Sequence, residues 1–307
     1  MSNYIVSGAT GFIGRNLIDC LIDKEEKVTV IVREESEAVR LWGRRVHIIE
    51  QDLVDSGSLK ISDFCYSIEE SIVVHFAWEG TSGDKRSREA TQLNNVKISC
   101  EFMRRMRELG CKRFINAGSI MEYEAIKTIA TDGEHPQRNS IYSIAKLSAD
   151  FMMKTIAADI DMEYVNVIIS NIYGPGEKSK RFLNNVVRGM IKNEDLILTE
   201  GLQLYDFIYT TDAMEMIYAV AEKGKPFESY YIGNSHQRPL REFVVEVKNV
   251  LNSSSDLLFG AAPFLGQALD YTEFDCGKVE TELGVIPSVS FEDGIRRTRD
   301  SILSENN

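Results

Sequence analysis

Tyr142 and Lys146 stand four residues apart in the stretch YSIAK at 142–146. On a helix, positions i and i+4 share a face, so the phenol and the ammonium can point into one cleft. A phenol ordinarily titrates near pH ~10, too high for a good base near neutrality. A neighbouring ammonium favours the phenolate and lowers that value. Such a pair can exchange a proton with a substrate hydroxyl or carbonyl. Upstream, Ser119 in NAGSIMEY (116–123) stands at the carboxyl end of a predicted strand, the edge at which open α/β sheets bind ligands. Its hydroxyl can polarise the same oxygen. Taken alone, a Tyr-x-x-x-Lys pair reads equally well as an exposed helix surface pair, so the assignment depends on what else the chain brings to that cleft.

Near the N-terminus, SGATGFIG supplies Gly8, Gly11 and Gly14 between a predicted strand and a predicted helix. Gly8 permits a tight turn, Gly11 lets the backbone approach a pyrophosphate, and Gly14 allows close helix–strand contact. The helix start adds free N–H groups and the positive end of its dipole. The residue closing the second strand reports on the adenosine ribose. An acid there would hold both ribose hydroxyls of NAD, whereas the pair Val32-Arg33 suits a 2′-phosphate through charge-assisted bonds. NADP is therefore expected over NAD. Glu34 and Glu35 argue for NAD, and a solvated surface charge is the other reading of Arg33.

The elements that must position these groups alternate. Apolar, β-branched runs at 4–8, 27–32, 45–50, 71–77, 112–118 and 163–169 read as buried strands, with helical patterns at 12–24, 86–109 and 140–158. This alternation predicts an α/β fold, a doubly wound parallel sheet of Rossmann type. After NIYGPG (171–176) the rhythm changes. Helices are expected at 179–192, 211–222, 239–251, 275–283 and 291–303, with strands at 196–198, 204–209 and 230–233. The expected organisation is a dinucleotide-binding domain at 1–170, onto which 206–233 packs back, and a smaller α+β substrate-binding region at 171–307, whose last residues SENN fray.

Composition narrows the class. The formal charge of −12, from 47 acidic against 35 basic residues, repels nucleic acid, and no basic patch of useful size offsets it. A small anionic substrate remains compatible, since a few cationic groups suffice to hold it. No stretch reaches the run of about 18 apolar residues needed to span a membrane, and the first residues lack a secretion-signal pattern; a cytoplasmic location is expected. Cys20, Cys65, Cys100, Cys111 and Cys276 are odd in number and widely spaced, which reads as free thiols. His47, His75, His135 and His236 show no metal-ligand spacing, so no metal is expected.

The ordered set GATGFIG, QDL (51–53), HFAW (75–78), NNV (94–96), Ser119, YSIAK, NIYGPG, YDFIYTTDA (205–213) and ELGVIPSVSFEDGI resembles the extended short-chain dehydrogenases/reductases, in the branch of nucleotide-sugar epimerases, dehydratases and reductases. The resemblance covers nearly the whole chain. It implies that Ser119, Tyr142 and Lys146 are the catalytic residues, with Lys146 also hydrogen-bonding the nicotinamide ribose. Asp52 and Leu53 would lie beside the adenine, Ala77 along the cofactor, and Asn95 near its phosphates or ribose. Thr10, Phe12, Ile13, Phe76 and Trp78 complete the implied cofactor contacts. Asn171 and Tyr205 fall at substrate positions, the first against a sugar-linked diphosphate. A homodimer through the helices near 86–109 and 140–158 is implied as well.

Departures from the family pattern narrow the activity. The 4,6-dehydratases carry an Asp-Glu pair after the catalytic Ser/Thr; here Ile120 and Met121 cannot carry a proton. Glu122 is ionisable but falls one position later, where a hydrogen-bonding role beside Tyr123 is the competing reading. An arginine that often precedes the DFIY segment is Tyr205, and a second, after 260, is replaced within PFLGQ by Leu265. Lys178, Lys180, Arg181 or Arg238 would have to supply the missing charge, each otherwise a solvated side chain. The expected activity is an NADPH-dependent reduction of a nucleotide-linked 4-keto-sugar. The alternatives are a C4 epimerase with retained NAD and a non-catalytic NADP-binding sensor or scaffold.

Overall fold

A computed structural model describes residues 2–129, 137–138, 140–266, 268–273 and 275–304. His135, Gln267 of PFLGQ and the last three residues of SENN, whose fraying was expected, lie outside the described residues. The first half of the chain runs β1 (Asn3–Ser7), α1 (Phe12–Asp23), β2 (Lys27–Val32), α2 (Glu35–Trp42), β3 (His47–Glu50), β4 (Ser71–His75), α3 (Glu89–Glu108), β5 (Arg113–Ser119), α4 (Met121–Ile129), α5 (Ser140–Asp159) and β6 (Glu163–Ile169). The second half runs β7 (Asn171–Tyr173), α6 (Phe182–Ile191), β8 (Leu196–Leu198), β9 (Leu204–Tyr205), β10 (Phe207–Tyr209), α7 (Thr210–Lys223), β11 (Ser229–Ile232), β12 (Arg238–Pro239), α8 (Leu240–Leu251), β13 (Leu257–Phe259), α9 (Lys278–Leu283) and α10 (Phe291–Ser304).

Among the described residues, seven parallel strands form one sheet in the order β11-β6-β5-β4-β1-β2-β3. Its strands are apolar on both sides because both faces are covered. On one face α1 and α7 bury Leu17, Ile18, Leu21, Ile217 and Val220. On the other, α3 and α5 bury Phe102, Met103, Met106, Ala149 and Met153. Each such side chain contributes about 2 kcal/mol on leaving water. A third core joins α6, α8 and α10 through Leu183, Val187, Phe243, Val247 and Ile295. β11 comes from the second half of the chain and pairs with β6. Register aligns Ser7 with His75 and Ser119 with Ile169, so the carboxyl ends of the central strands open on one edge.

Some elements differ from the sequence expectation. α2 and α4 were not anticipated: α2 buries only Ala38 and Trp42, too few for a periodic pattern, and α4 follows β5 after the single turn residue Ile120, with no Gly, Pro, Asn or Asp to mark the change. The expected strand at 204–209 is two strands, β9 against β12 and β10 against β7. The break falls at the fully buried Asp206, whose carboxylate turns away to accept from the Tyr231 hydroxyl at 2.6 Å and the Ser235 N–H at 3.1 Å. α3 begins at Glu89 rather than 86, because Asp84–Ser87 form a separate 3-10 turn that carries Arg86.

Candidate active site

The glycine turn shows why its residues have no side chains. Gly8 has φ +70°, and a Cβ there would lie 2.5 Å from the Ala77 nitrogen. A Cβ on Gly14 would lie 2.3 Å from the Gly8 oxygen, so α1 packs against β1 at backbone distance. Gly11 is the N-cap of α1 and offers no side-chain hydrogen bond to the first turn. The free N–H groups of the helix start therefore face the groove, as an anion site requires.

Two cavities meet at this turn, sharing Gly8, Gly11, Phe76 and Trp78. The first, about 350 Å³, is also lined by Thr10, Arg33, Asp52, Leu53, Ala77 and Asn95. Glu34 and Glu35 are absent from its lining: the Glu34 carboxylate accepts from Ser36, and Glu35 from α2 donates its N–H to Glu50. Asp52 caps the short helical turn after it, accepting from the Val54 N–H at 3.0 Å. Asn95 has a structural task, its amide bonding both the N–H and the C=O of Glu79 at 3.0 and 2.8 Å. The paired cavities and the bare helix start fit an extended dinucleotide.

The second cavity, about 650 Å³, is lined by Phe12, Ile13, Gly14, Ser119, Tyr142, Lys146, Asn171 and Tyr205 together with the shared residues. Residues from β5, α5, β7 and β9 thus converge although they lie far apart in the chain. Lys146 is buried, donates to the Ala117 carbonyl at 2.8 Å, and has its Nζ 3.8 Å from the centre of the Trp78 ring. Trp78 is in turn edge-on to Tyr142 and is held by its indole N–H bond to Gln92 at 2.8 Å. Burial pushes the Lys146 ammonium down to about 7, against the pull of Glu122 and with the push of Arg86. Ser119 Oγ accepts from the Met121 N–H at 3.2 Å.

Beneath the site, His75 bonds Ser7 and Ser99. Ser99 donates its own proton to the Asn95 carbonyl, so His75 Nε2 donates to Ser99 and Nδ1 accepts from Ser7. Burial first, then Lys146, push His75 down to about 3; it is a neutral structural pillar.

Sequence reasoning missed two groups. Arg86 lines the large cavity, with its guanidinium 3.8 Å from the centre of the Tyr142 ring and Nη1 donating to the Thr81 carbonyl at 2.8 Å. Its place in the loop segment GDKRS gives no periodic signal. Ser170 lines the same cavity, and its buried hydroxyl has no hydrogen-bond partner among the described residues; it follows β6 directly and was readable only as a strand end. Of the four cations considered for the missing charge, Lys178, Lys180 and Arg181 line the cavity and are joined by Arg15. Arg238 is elsewhere, paired with Glu246 and stacked on Phe243, and Leu265 is exposed. Among the described residues no cluster of His, Cys, Asp or Glu is arranged to hold a metal, and no helix is long and apolar enough to cross a membrane.

Residues 4–233 match the NAD dependent epimerase/dehydratase family. The chain belongs to that family. It is an enzyme of the extended short-chain dehydrogenase/reductase type. Over 275 aligned residues, 84% of each chain, it is 25% identical to CDP-abequose synthase of Salmonella typhimurium. It is 24% identical to dTDP-glucose 4,6-dehydratase of Xanthomonas campestris pv. campestris, over 99% of this chain and 94% of the relative. The fold is shared with UDP-glucuronic acid 4-epimerase from Bacillus cereus, solved with UDP-glucuronic acid and NAD, at TM-score 0.81, 20% identity and 99% coverage of both chains. It is also shared with UDP-glucose 4-epimerase from Thermotoga maritima, solved with UDP-glucose, at TM-score 0.80 and 21% identity over 99% of this chain and 100% of the other.

Proposed function

We propose that this family member is an NADPH-dependent reductase of a nucleotide-linked 4-keto-sugar. The observation that carries the reading is that Ser119, Tyr142 and Lys146 line one cavity in which Ile120 and Met121 also stand. The machinery for proton exchange with a sugar oxygen is present, and acids for water elimination are missing from the positions that follow Ser119. Arg33 at the rim of the adenosine-side cavity, with Glu34 engaged by Ser36, supports a phosphorylated ribose.

When bound, the nicotinamide supplies the hydride. Ser119 Oγ orients the keto oxygen. Tyr142 gives that oxygen its phenolic proton, completing the alcohol, and Lys146 and Arg86 carry the positive charge that supports the phenolate left behind. Lys178, Lys180, Arg181 and Arg15 provide the cationic wall for a sugar-linked diphosphate in place of the arginines whose positions Tyr205 and Leu265 occupy. In this reading residues 1–170 hold the dinucleotide, with 206–233 returning to them, and 171–307 supply the substrate side. The protein would work as a homodimer through α3 and α5, where Leu93, Ile144, Phe151 and Met152 are exposed.

The test is turnover of a panel of 4-keto nucleotide sugars with NADPH and with NADH, followed by absorbance and product analysis. Reduction with an NADPH preference, abolished in Tyr142→Phe while dinucleotide binding persists, is the expected result; no turnover across the panel would sink the reading. The second reading is a C4 epimerase. Solved relatives of the same fold hold NAD and UDP-sugars, and NAD copurifying with redox-neutral interconversion of two sugars would establish it.

A further inference from the structure

Gln92 is fully buried and lines neither cavity. It stands at the start of α3, where its N–H bonds the Arg88 carbonyl. Every polar atom of its side chain is engaged. Oε1 accepts from the Trp78 indole N–H at 2.8 Å, and Nε2 donates to the Gly80 and Lys85 carbonyls at 3.1 and 3.0 Å. An indole N–H only donates, so the amide has one possible orientation. A further carbonyl in reach, that of Glu79 at 3.4 Å, is also taken by Asn95 at 2.8 Å. Gln92 and Asn95 are three apart on α3 and so share the face that meets the loop at 79–86. That loop is closed on itself: Gly80 has φ +72°, and a Cβ there would lie 2.8 Å from the Lys85 carbonyl. It carries Arg86, whose Nη1 donates to the Thr81 carbonyl within the same loop.

Two routes lead from this amide to the reacting groups. The first runs through Trp78, whose ring is edge-on to Tyr142 and 3.8 Å from Lys146 Nζ. The second runs through the loop to the Arg86 guanidinium, 3.8 Å from the centre of the Tyr142 ring. Trp78 also lines both cavities, at the junction that an extended dinucleotide must cross. We infer that Gln92 is a positioning residue of the active site: one buried amide locks the Trp78 ring against Lys146 and Tyr142 and, at the same time, the loop that lays Arg86 over Tyr142. Buried polar groups cannot turn to water for a partner. Losing the amide would orphan the indole N–H and two loop carbonyls at once, and each would have to move to find a new bond. An apolar side chain of similar volume would fill the space and hold neither the ring nor the loop.

The inference rests on Tyr142 and Lys146 as the reacting pair and not on which sugar is reduced, so its first readouts are independent of turnover. Trp42 and Trp78 are the two tryptophans of the chain, and Trp42→Phe leaves Trp78 as the single emitter. In that background Gln92→Met fills the space without hydrogen bonds, and Gln92→Glu keeps the acceptor for the indole but not the pair of amide donors. Four quantities are compared: the anisotropy decay of Trp78, its quenching by bound NADPH, trypsin cleavage after Lys85 and Arg86, and affinity for ADP. Gln92→Met should give Trp78 a fast anisotropy component and weaken its quenching. It should also raise cleavage of the loop roughly 10-fold, with ADP affinity within a few-fold of wild type. Gln92→Glu should restore the Trp78 signals and leave the loop cleavable; it decides the question if Gln92→Met does not fold. With a sugar that is reduced, Gln92→Met should lower kcat roughly 10-fold while KM for the dinucleotide holds. A wild-type Trp78 anisotropy in Gln92→Met, or a loop as resistant as wild type in either variant, overturns the inference. So does an ADP affinity that falls in step with the other readouts, which would make the role merely structural. A wild type that reduces no sugar, with the Trp78 and loop responses intact, counts against the proposed reaction only.

Discussion

The Arg86 guanidinium lies over the Tyr142 ring, 3.8 Å from its centre. Arg86 is largely withdrawn from water. Burial lowers it from the usual arginine range, and Tyr142 and Glu124 draw it back up. A desolvated cation on an aromatic face contributes about 0.5–2 kcal/mol. It also fixes the ring against rotation, with Trp78 edge-on at 6.3 Å. Arg86→Met should therefore reduce kcat/KM by roughly 2- to 30-fold, with dinucleotide affinity changed far less. Steady-state kinetics beside fluorescence titration separates the two, and equal losses in both would mean that Arg86 acts on binding alone.

The proposed preference for NADPH rests on Arg33, which lines the smaller cavity. A charge-assisted bond to phosphate is worth about 1.5–3 kcal/mol, so Arg33→Ala should weaken NADPH binding by roughly 10- to 150-fold and leave NADH binding within a few-fold. Dissociation constants for both cofactors give the ratio directly. If the ratio does not move, Arg33 is a solvated charge.

His75 makes acid stability a property of the site's foundation. Its folded value, about 3, lies below the unfolded value of 6.5. Between these the unfolded chain binds more protons, so stability present above pH ~6.5 is lost as pH falls through that window, at a limiting slope of about 1.4 kcal/mol per pH unit from this group. Urea midpoints at pH 7 and pH 5 should separate more for the wild type than for His75→Asn. Equal separation would place the acid sensitivity in the carboxylates instead.

Much of this architecture is legible in the sequence because it follows from local rules. Gly8 and Gly14 announce a turn too tight for Cβ atoms, and apolar runs such as KVTVIV announce strands covered on both faces. Tyr142 and Lys146 are found by a spacing that only a helix makes meaningful. What was not legible depends on distant partners. Arg86 takes its meaning from α5, more than fifty residues later in the chain. Glu122 was visible as an acid, but its bonds to the Ser119 N–H and the Asn166 amide need the register of β5 and β6. Arg238 looked equivalent to Lys178, Lys180 and Arg181 until packing took it to Glu246. Asp206 interrupted an apparently continuous strand because the Tyr231 hydroxyl and the Ser235 N–H that bond it lie in and beyond β11.

The proposed dimer rests on a face that the monomer leaves uncovered. Ile144, Phe151 and Met152 recur on α5 at i, i+7 and i+8, one side of the helix, and are 49%, 61% and 53% exposed. Leu93 on the neighbouring α3 is 66% exposed. Exposed apolar side chains on paired helices suit an association surface, and in the proposed dimer two copies of the helix pair would make a four-helix contact through a twofold axis. Phe151→Glu places a charge on each side of that axis, where burial without a partner costs several kcal/mol. Sedimentation equilibrium should give twice the chain mass for the wild type and the single-chain mass for Phe151→Glu, with the far-ultraviolet circular dichroism unchanged. A wild type that sediments as a single chain, or a variant that remains double, would remove the face from consideration.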